Sequence, residues 1–103
     1  MINKIKAERF HLMNLSNYKV LYKKRAEKFL FTNKLEGIKF YKAFSELTSQ
    51  KENLRKYDIK KYHCKNNNTY RLRIGDYRAI FEVCENEIIV LVLDIGSRGD
   101  IYK

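Results

Sequence analysis

The segment from Ile88 to Ile95 constrains the fold most, because it is apolar at every position except Asp94. A strand with one face in water alternates apolar and polar side chains, and this segment has no such alternation. We therefore expect both of its faces to be covered, which favours a central strand of a sheet. Its strictly apolar part, Ile88–Leu93, is much too short to span a bilayer.

Two further strands are predicted just before this segment. The sequence Tyr-Arg-Leu-Arg-Ile, residues 70–74, alternates with period two, as a half-buried strand does. Residues 77–83 form the next predicted strand, and Cys84–Glu87 has the polar character of a tight hairpin turn. The last third of the chain thus predicts a three-strand antiparallel meander.

The preceding half of the chain predicts one strand and two helices. Residues 18–22 are rich in strand formers, residues 25–30 in helix formers, and Thr32-Asn33 offers a break and a helix N-cap. Apolar residues then recur at steps of three, with Phe40 and Ala43 beside them: Leu35, Ile38, Tyr41, Phe44 and Leu47. We expect this stripe to pack on the core, the alternative being an interaction helix. The predicted fold is α+β, with an N-terminal strand, two helices packed on one face of the sheet, and the meander.

Residues 1–16 are predicted to be an N-terminal extension of uncertain order, and residues 17–103 the folded domain. The first ten residues are polar and charged, which is unlike a signal peptide. Cys64 and Cys84 stand too far apart in sequence for a clustered zinc site, and free thiols are typical of a reducing cytoplasm. We therefore expect a cytoplasmic protein that needs no metal and no cofactor.

The charge balance is strongly positive, with 22 Lys and Arg against 12 Asp and Glu, a net charge of +10 and a pI near 9.7. Such a charge favours a polyanionic partner, either nucleic acid or an acidic protein segment. The alternative is that the lysines only keep the protein soluble. A chain of 103 residues cannot enclose a large active site, so we expect a shallow surface groove.

Four arginines and a tyrosine are predicted to converge on one end and face of the sheet. Period two places Arg71 and Arg73 on the same face, and the Gly-Asp turn at 75–76 returns Arg78 beside them. Arg98 follows the third strand, and Tyr102 comes four residues later. Guanidinium groups bind phosphate through paired hydrogen bonds, and an aromatic ring can stack on an unpaired base. This pattern indicates binding of single-stranded RNA.

A structural role is the alternative for these arginines. Each could be a solvated strand end or the partner of a nearby carboxylate, the candidates being Asp76, Asp94 and Asp100.

Several stretches resemble RelE-family toxins of the RelE/ParE superfamily. Two segments resemble the C-terminal half of these toxins: Tyr-Arg-Leu-Arg-Ile-Gly-Asp-Tyr-Arg-Ala-Ile-Phe-Glu-Val at 70–83 and Ile-Gly-Ser-Arg-Gly-Asp-Ile-Tyr-Lys at 95–103. Residues 17–22 and 25–29 resemble the opening strand and first helix, and residues 58–62 resemble the lead-in to the sheet. The resemblance covers residues 17–103 and does not extend to the first sixteen.

The resemblance implies a toxin that enters the ribosomal A site and cuts messenger RNA by attack of a 2′-hydroxyl on the neighbouring phosphate. On this reading Arg71 and Arg73 contact the scissile region, and Arg78 binds the phosphate and stabilises its developing charge. Arg98 would assist the leaving oxygen, and Tyr102 would stack on or orient the target nucleotide. The implied partner is an acidic, RelB-like antitoxin whose helix or extended tail covers the basic groove, and the pair would bind promoter DNA together.

One departure from the family pattern concerns the general base. Family members carry lysines at the first two basic positions, whereas Arg71 and Arg73 hold their protons too firmly for that role. His63 is the neutral base near this region, although a lone histidine beside a loop is more often incidental. Two alternatives stay open: a ParE-like toxin that binds DNA gyrase, and a catalytically weak RNA-binding or co-repressor domain. The Arg98 and Tyr102 ending favours the nuclease.

Overall fold

The computed structural model of the chain describes residues 14–62 and 68–97. The elements in chain order are β1 (Lys19–Tyr22), α1 (Lys24–Thr32), α2 (Lys34–Leu47), a 3₁₀ helix (Lys51–Lys56), β2 (Asp58–Lys61), β3 (Thr69–Ile74), β4 (Tyr77–Cys84) and β5 (Ile89–Ser97).

The strands form one five-stranded sheet in the order β1-β5-β4-β3-β2. β1 runs parallel to β5, and the other neighbours are antiparallel. The predicted α+β fold is confirmed, and β2 extends the predicted meander by one edge strand. The register of β4 and β5 shifts between Ile80 and Phe81, so that Leu93 has no direct partner on β4.

β5 is an interior strand, as predicted, but only one of its faces is fully covered. Val90 and Val92 have no exposed surface, whereas Ile89 and Leu91 are partly exposed on the other face. The turn before β5 comprises residues 85–88, and Ile88 lies in it with a positive φ of 56° instead of in the strand.

Both helices pack on the face of the sheet that carries Val90 and Val92. The ring of Phe44 in α2 meets that of Phe81 in β4 edge-on at 5.3 Å, and Phe29 in α1 lies 5.5 Å from Tyr77. The buried residues of α2 are Gly37, Phe40, Ala43, Phe44 and Leu47. The core therefore lies between the two helices and one face of the sheet.

The predicted core stripe of α2 is wrong at three positions, because Leu35, Ile38 and Tyr41 are exposed. A helix turns by roughly 100° per residue, so positions three apart drift around it by about 60° per step. The buried residues instead follow spacings of three and four, which stay on one side.

α1 and α2 are joined by Asn33 alone, and they approach closely at Gly37. A Cβ at Gly37 would lie 2.9 Å from both the Cα and the carbonyl oxygen of Leu30. The predicted break at Thr32-Asn33 is confirmed, although Asn33 makes no side-chain cap; its amide donates to the Thr32 hydroxyl at 3.0 Å.

The core begins before β1. Leu15 is completely buried, and the backbone N–H of Asn17 donates to the carbonyl oxygen of Thr48 at 3.0 Å. Within the described ranges, no helix combines the length and apolar character that crossing a bilayer requires.

Candidate nucleic-acid interface

The strand register brings three of the predicted arginines together on the sheet face that the helices do not cover. Arg73 on β3 is directly opposite Arg78 on β4, and Arg71 is opposite Ile80, one pair further along the same face. The intervening Leu72 points into the core and has no exposed surface. We call this surface, with Arg71, Arg73 and Arg78, the arginine face.

A two-residue turn sets this register. Gly75 and Asp76 connect the paired residues Ile74 and Tyr77, and Gly75 has a φ of +61°. The first position of a type II′ hairpin turn requires a positive φ, which glycine adopts without steric cost. The turn thereby fixes Arg73 opposite Arg78.

The three guanidinium groups differ in exposure and contacts. Arg73 is exposed, and its Nε donates to the Gly75 carbonyl oxygen at 3.4 Å. Arg78 is only 7% exposed, although it is charged. Arg71 has a side chain that is 15% exposed, and its Nη2 lies 3.3 Å from the Asp58 carboxylate. The Nε of Arg71 is buried and has no hydrogen-bond partner in the part of the chain that the structure describes.

Two residues of β2 that were not predicted from the sequence belong to the same surface. Lys60 pairs with Arg71 and Asp58 with Arg73, so both side chains share the arginine face. The signal was the alternation around Ile59, which is 5% exposed between two exposed neighbours. Glu82, opposite Thr69, is on this face too. The part of the face formed by β2, β3 and β4 thus has four cationic and two acidic side chains.

Asp94, one of the carboxylates that the structural alternative named, forms an ion pair with an arginine of α1, and the carboxylate that pairs with Arg71 is Asp58. The Asp94 carboxylate lies 3.2 Å from the Arg25 guanidinium of α1. This pair lines a separate cleft of about 580 Å³ between α1 and the end of β5, together with Phe29 and Tyr77. The cleft is lined by two cations, Arg25 and Lys28, and one carboxylate, whereas β2, β3 and β4 place four cations and two carboxylates on the arginine face.

The other two predicted site residues, Arg98 and Tyr102, lie outside the described residues, as do His63 and Cys64. The described end of β5, Ser97, pairs with Tyr77 and so adjoins the start of β4.

Chemistry other than anion binding has little support in the described ranges. Burial raises the pKa of the Cys84 thiol, and nearby Glu82 and Glu87 add to the shift, so this group stays protonated and is a poor nucleophile. No group of three His, Cys, Asp or Glu side chains within residues 14–62 and 68–97 could hold a metal ion. An array of guanidinium groups on an open surface can bind phosphates and stabilise negative charge that develops on them.

Comparisons with known proteins identify a family and a set of similar folds. Residues 20–102 match the sequence profile of a family described as the ParE toxin of the type II toxin–antitoxin system parDE. A comparison with curated protein sequences finds no match.

Similar solved structures include three toxin–antitoxin complexes. In the archaeal RelE–RelB complex from Pyrococcus horikoshii OT3, a chain 27% identical to this one superposes with a TM-score of 0.65 over 81% of this chain and 97% of its own. The RelB–RelE complex from Methanococcus jannaschii contains a chain that is 25% identical, with a TM-score of 0.54 and coverage of 80% and 94%. A chain of the RelBE2 complex from Mycobacterium tuberculosis, 22% identical with a TM-score of 0.59 and coverage of 82% and 95%, shares the fold.

Proposed function

This chain belongs to the ParE toxin family of type II toxin–antitoxin systems, and we propose that it is a ribosome-dependent endoribonuclease that cuts messenger RNA in the A site. The observation that carries the proposal is the shared location of Arg71, Arg73 and Arg78 on one uncovered sheet face. The chain's similarity to the RelE–RelB complex from Pyrococcus horikoshii supports a RelE-type activity.

The reaction is an internal transfer at the phosphate of the RNA backbone. The 2′-hydroxyl oxygen forms a bond to phosphorus while the bond to the 5′ oxygen of the next nucleotide breaks. The hydroxyl proton leaves the attacking oxygen, and the leaving oxygen takes up a proton. The products are a 2′,3′-cyclic phosphate and a 5′-hydroxyl end, and negative charge grows on the phosphate oxygens in between.

The exposure of each arginine suits a different part of this reaction. Arg73 is accessible and contacts the RNA backbone beside Arg71. Arg78 is held in the sheet at 7% exposure, where water screens its charge little, so it stabilises the charge that develops on the phosphate. The resemblance to RelE-family toxins assigns Arg98 to the leaving oxygen and Tyr102 to stacking on the target nucleotide.

Arg71 and Arg73 replace the lysines of the family, so the 2′-hydroxyl would be activated mainly by its position relative to the phosphate. A guanidinium has a pKa above about 12 and does not accept a proton readily. Holding the hydroxyl in line with the phosphate supplies much of the rate enhancement in such internal reactions. We therefore expect cleavage to depend on the ribosome, which orders the message in the A site.

The proposed partner of the arginine face is an acidic, RelB-like antitoxin. The similar solved structures from Pyrococcus horikoshii and Methanococcus jannaschii are complexes of RelE with RelB. A carboxylate-rich helix or extended tail would neutralise the same guanidinium groups that bind RNA. Promoter DNA would then be bound by the toxin–antitoxin complex and not by the toxin alone.

A ParE-like toxin that binds DNA gyrase is the second candidate, because the matching family is described as the ParE toxin. A gyrase poison would use the same fold without cutting RNA, and it would leave damaged DNA.

Expression in cells followed by mapping of messenger RNA 5′ ends separates the two functions. The nuclease predicts new ends in phase with codons, which disappear in Arg73→Ala and persist in Arg25→Ala. Arg25 is an exposed arginine on the helix side and serves as the matched control. DNA damage without new RNA ends would contradict the nuclease proposal and support the gyrase function.

A further inference from the structure

A carboxylate lies among the cations of the arginine face, in register with two of its arginines. Asp58 on β2 is directly opposite Arg73 on β3, and Arg73 is directly opposite Arg78 on β4. The three side chains therefore form a row across the uncovered face, on strands that are about 4.8 Å apart. The row continues on β5 at Gly96, which pairs with Arg78 and has no side chain.

Arg71 holds the Asp58 carboxylate in this row. Its Nη2 donates to Oδ1 of Asp58 at 3.3 Å, and the Arg71 side chain is itself only 15% exposed. The Asp58 side chain is 44% exposed, so a molecule on the uncovered face can reach it. A carboxylate that is both held in place and accessible is suited to accept a proton from a bound substrate.

Binding alone does not explain a carboxylate in this position, because a negative charge beside two phosphate-binding cations weakens their attraction for RNA. Glu82, the other carboxylate that β2, β3 and β4 place on the face, is four residues along β4 from Arg78, opposite Thr69. Asp58 is thus the carboxylate that the register places beside the arginines proposed to bind the phosphate.

We propose that Asp58 is the proton acceptor of the RNA cleavage reaction, an inference that rests on the proposed function. Positioning brings the 2′-hydroxyl oxygen to the phosphorus, but its proton must still pass to a base, and arginines are poor bases. As the bond between this oxygen and phosphorus forms, the proton moves to a carboxylate oxygen of Asp58, and the bond from phosphorus to the 5′ oxygen breaks. The 5′ oxygen takes a proton from water, and Asp58 afterwards returns its proton to water, so the protons balance.

The row also has the direction that such a displacement requires. The attacking and leaving oxygens lie roughly in line on opposite sides of the phosphorus atom. With the phosphate at Arg73 and Arg78, Asp58 lies on the β2 side, and the β5 side is left to the leaving oxygen. Arg98, to which the proposed function assigns that oxygen, follows Gly96 by two residues in the sequence.

The test measures single-turnover cleavage of a message in the A site of a ribosome complex between pH 6 and pH 9. We expect Asp58→Asn to slow cleavage about a hundredfold at pH 7, the lower end of what a general base contributes. Its rate should then rise about tenfold per pH unit, because hydroxide replaces the missing base, whereas the rate of the unaltered chain changes little. The asparagine oxygen still accepts a hydrogen bond, so Arg71 keeps a partner.

Binding measurements and control variants separate catalysis from a structural role. Asp58→Asn should bind single-stranded RNA at least as tightly as the unaltered chain, because it removes a negative charge from the arginine face. Asp58→Glu, which keeps a carboxylate, is expected to recover part of the rate. Asp76→Asn removes an equal charge from the exposed turn between β3 and β4, and we expect its rate and pH dependence to be unchanged.

The inference is wrong if Asp58→Asn cleaves as fast as the unaltered chain, or more slowly but with the same pH dependence, which would indicate a structural role. Weaker RNA binding by Asp58→Asn, or an equal loss of rate in Asp76→Asn, would also contradict it. A rate that levels off near pH 7 in both proteins would assign the proton to a histidine instead. Circular dichroism confirms that each variant is folded. If the unaltered chain cuts no message, the proposed function itself fails, and this inference fails with it.

Discussion

At the scale of single residues, the arginine face combines a fixed cation with an accessible one. Arg78 sits in β4 at 7% exposure, so its place is set by the sheet before any ligand arrives. Arg73 stands opposite it and is exposed. A phosphate bound by Arg73 and Arg78 would contact a guanidinium group, that of Arg78, that needs little movement. Cations held in place before the reaction stabilise a charged transition state most effectively.

Lys60→Ala is expected to weaken binding of single-stranded RNA, because Lys60 lies opposite Arg71 on the arginine face. Loss of one phosphate contact lowers the slope of log affinity against log salt by about 0.7 for a single strand. Fluorescence anisotropy of a labelled oligonucleotide over a range of salt concentrations measures this slope.

Lys61→Ala is the matched control, since it removes the same charge from the next residue, which pairs with the core residue Tyr70 on the other face. An equal loss in both variants would mean that net charge, and not the arginine face, governs binding.

Tyr57→Phe is expected to lower the free energy of unfolding at neutral pH, and by less in acid. The Tyr57 hydroxyl donates to Glu46 at 2.5 Å, and this bond is the main cause that lowers the pKa of Glu46 from 4.5. A carboxyl whose pKa falls on folding stabilises the protein above its unfolded pKa and loses that contribution as the pH drops through its folded value. Urea unfolding of both proteins between pH 7 and pH 3 measures the difference; a constant difference would contradict this account.

Alkaline pH acts on the same pair through the tyrosine. Burial, followed by the hydrogen bond to Glu46, raises the pKa of Tyr57 from 10.0 to about 12. A raised folded pKa stabilises the protein below the unfolded value, and the contribution is lost as the pH rises from about 10 towards 12. The pair is therefore expected to stabilise the fold most between about pH 5 and pH 10.

At the scale of elements, the close contact between α1 and α2 depends on Gly37. Gly37→Ala would place a Cβ 2.9 Å from backbone atoms of Leu30, which can move only if the helices separate. We expect the free energy of unfolding to fall by about 1–3 kcal/mol. The gain of about 1 kcal/mol that alanine normally brings to a helix interior is too small to offset this clash. Urea unfolding tests this, with Ser45→Ala on the exposed side of α2 as the control. A Gly37→Ala protein as stable as the original would contradict the role of this contact.

Sequence periodicity predicted most elements and misplaced one helix face. Alternation in β3 and the turn at Gly75 correctly located Arg71, Arg73 and Arg78. The steps of three in α2 also looked like a core stripe, because exposed Leu35 and Ile38 are as apolar as the buried residues. A sequence pattern shows which residues are apolar, but whether they are buried depends on how the helix packs against the rest of the chain.

β2 could not be recognised with the same ease, because it has four residues and a single buried side chain, Ile59. Its contribution to the arginine face, Asp58 and Lys60, depends on pairing with β3, which does not follow β2 directly in the chain. When two strands are not joined by a tight turn, their register cannot be predicted from the local sequence.

At the scale of the whole molecule, the sheet separates two kinds of surface. The helices lie on one side, and the arginine face lies on the other. The net charge of +10 favours polyanions around the whole protein, and under the proposed function the three arginines would give an approaching RNA a preferred side. We propose that this face binds the backbone of messenger RNA and that its arginines promote cleavage there.

The most direct test is cleavage of a defined message in a purified ribosome complex. One message is all RNA, and a second carries 2′-deoxynucleotides throughout the A-site codon, which removes the attacking hydroxyl. We predict that the protein cuts the first and leaves a 5′-hydroxyl end, that Arg73→Ala slows the cut about a hundredfold, and that Arg25→Ala does not. No cleavage of the RNA message, or equal cleavage of the deoxy-substituted one, would contradict the proposed function.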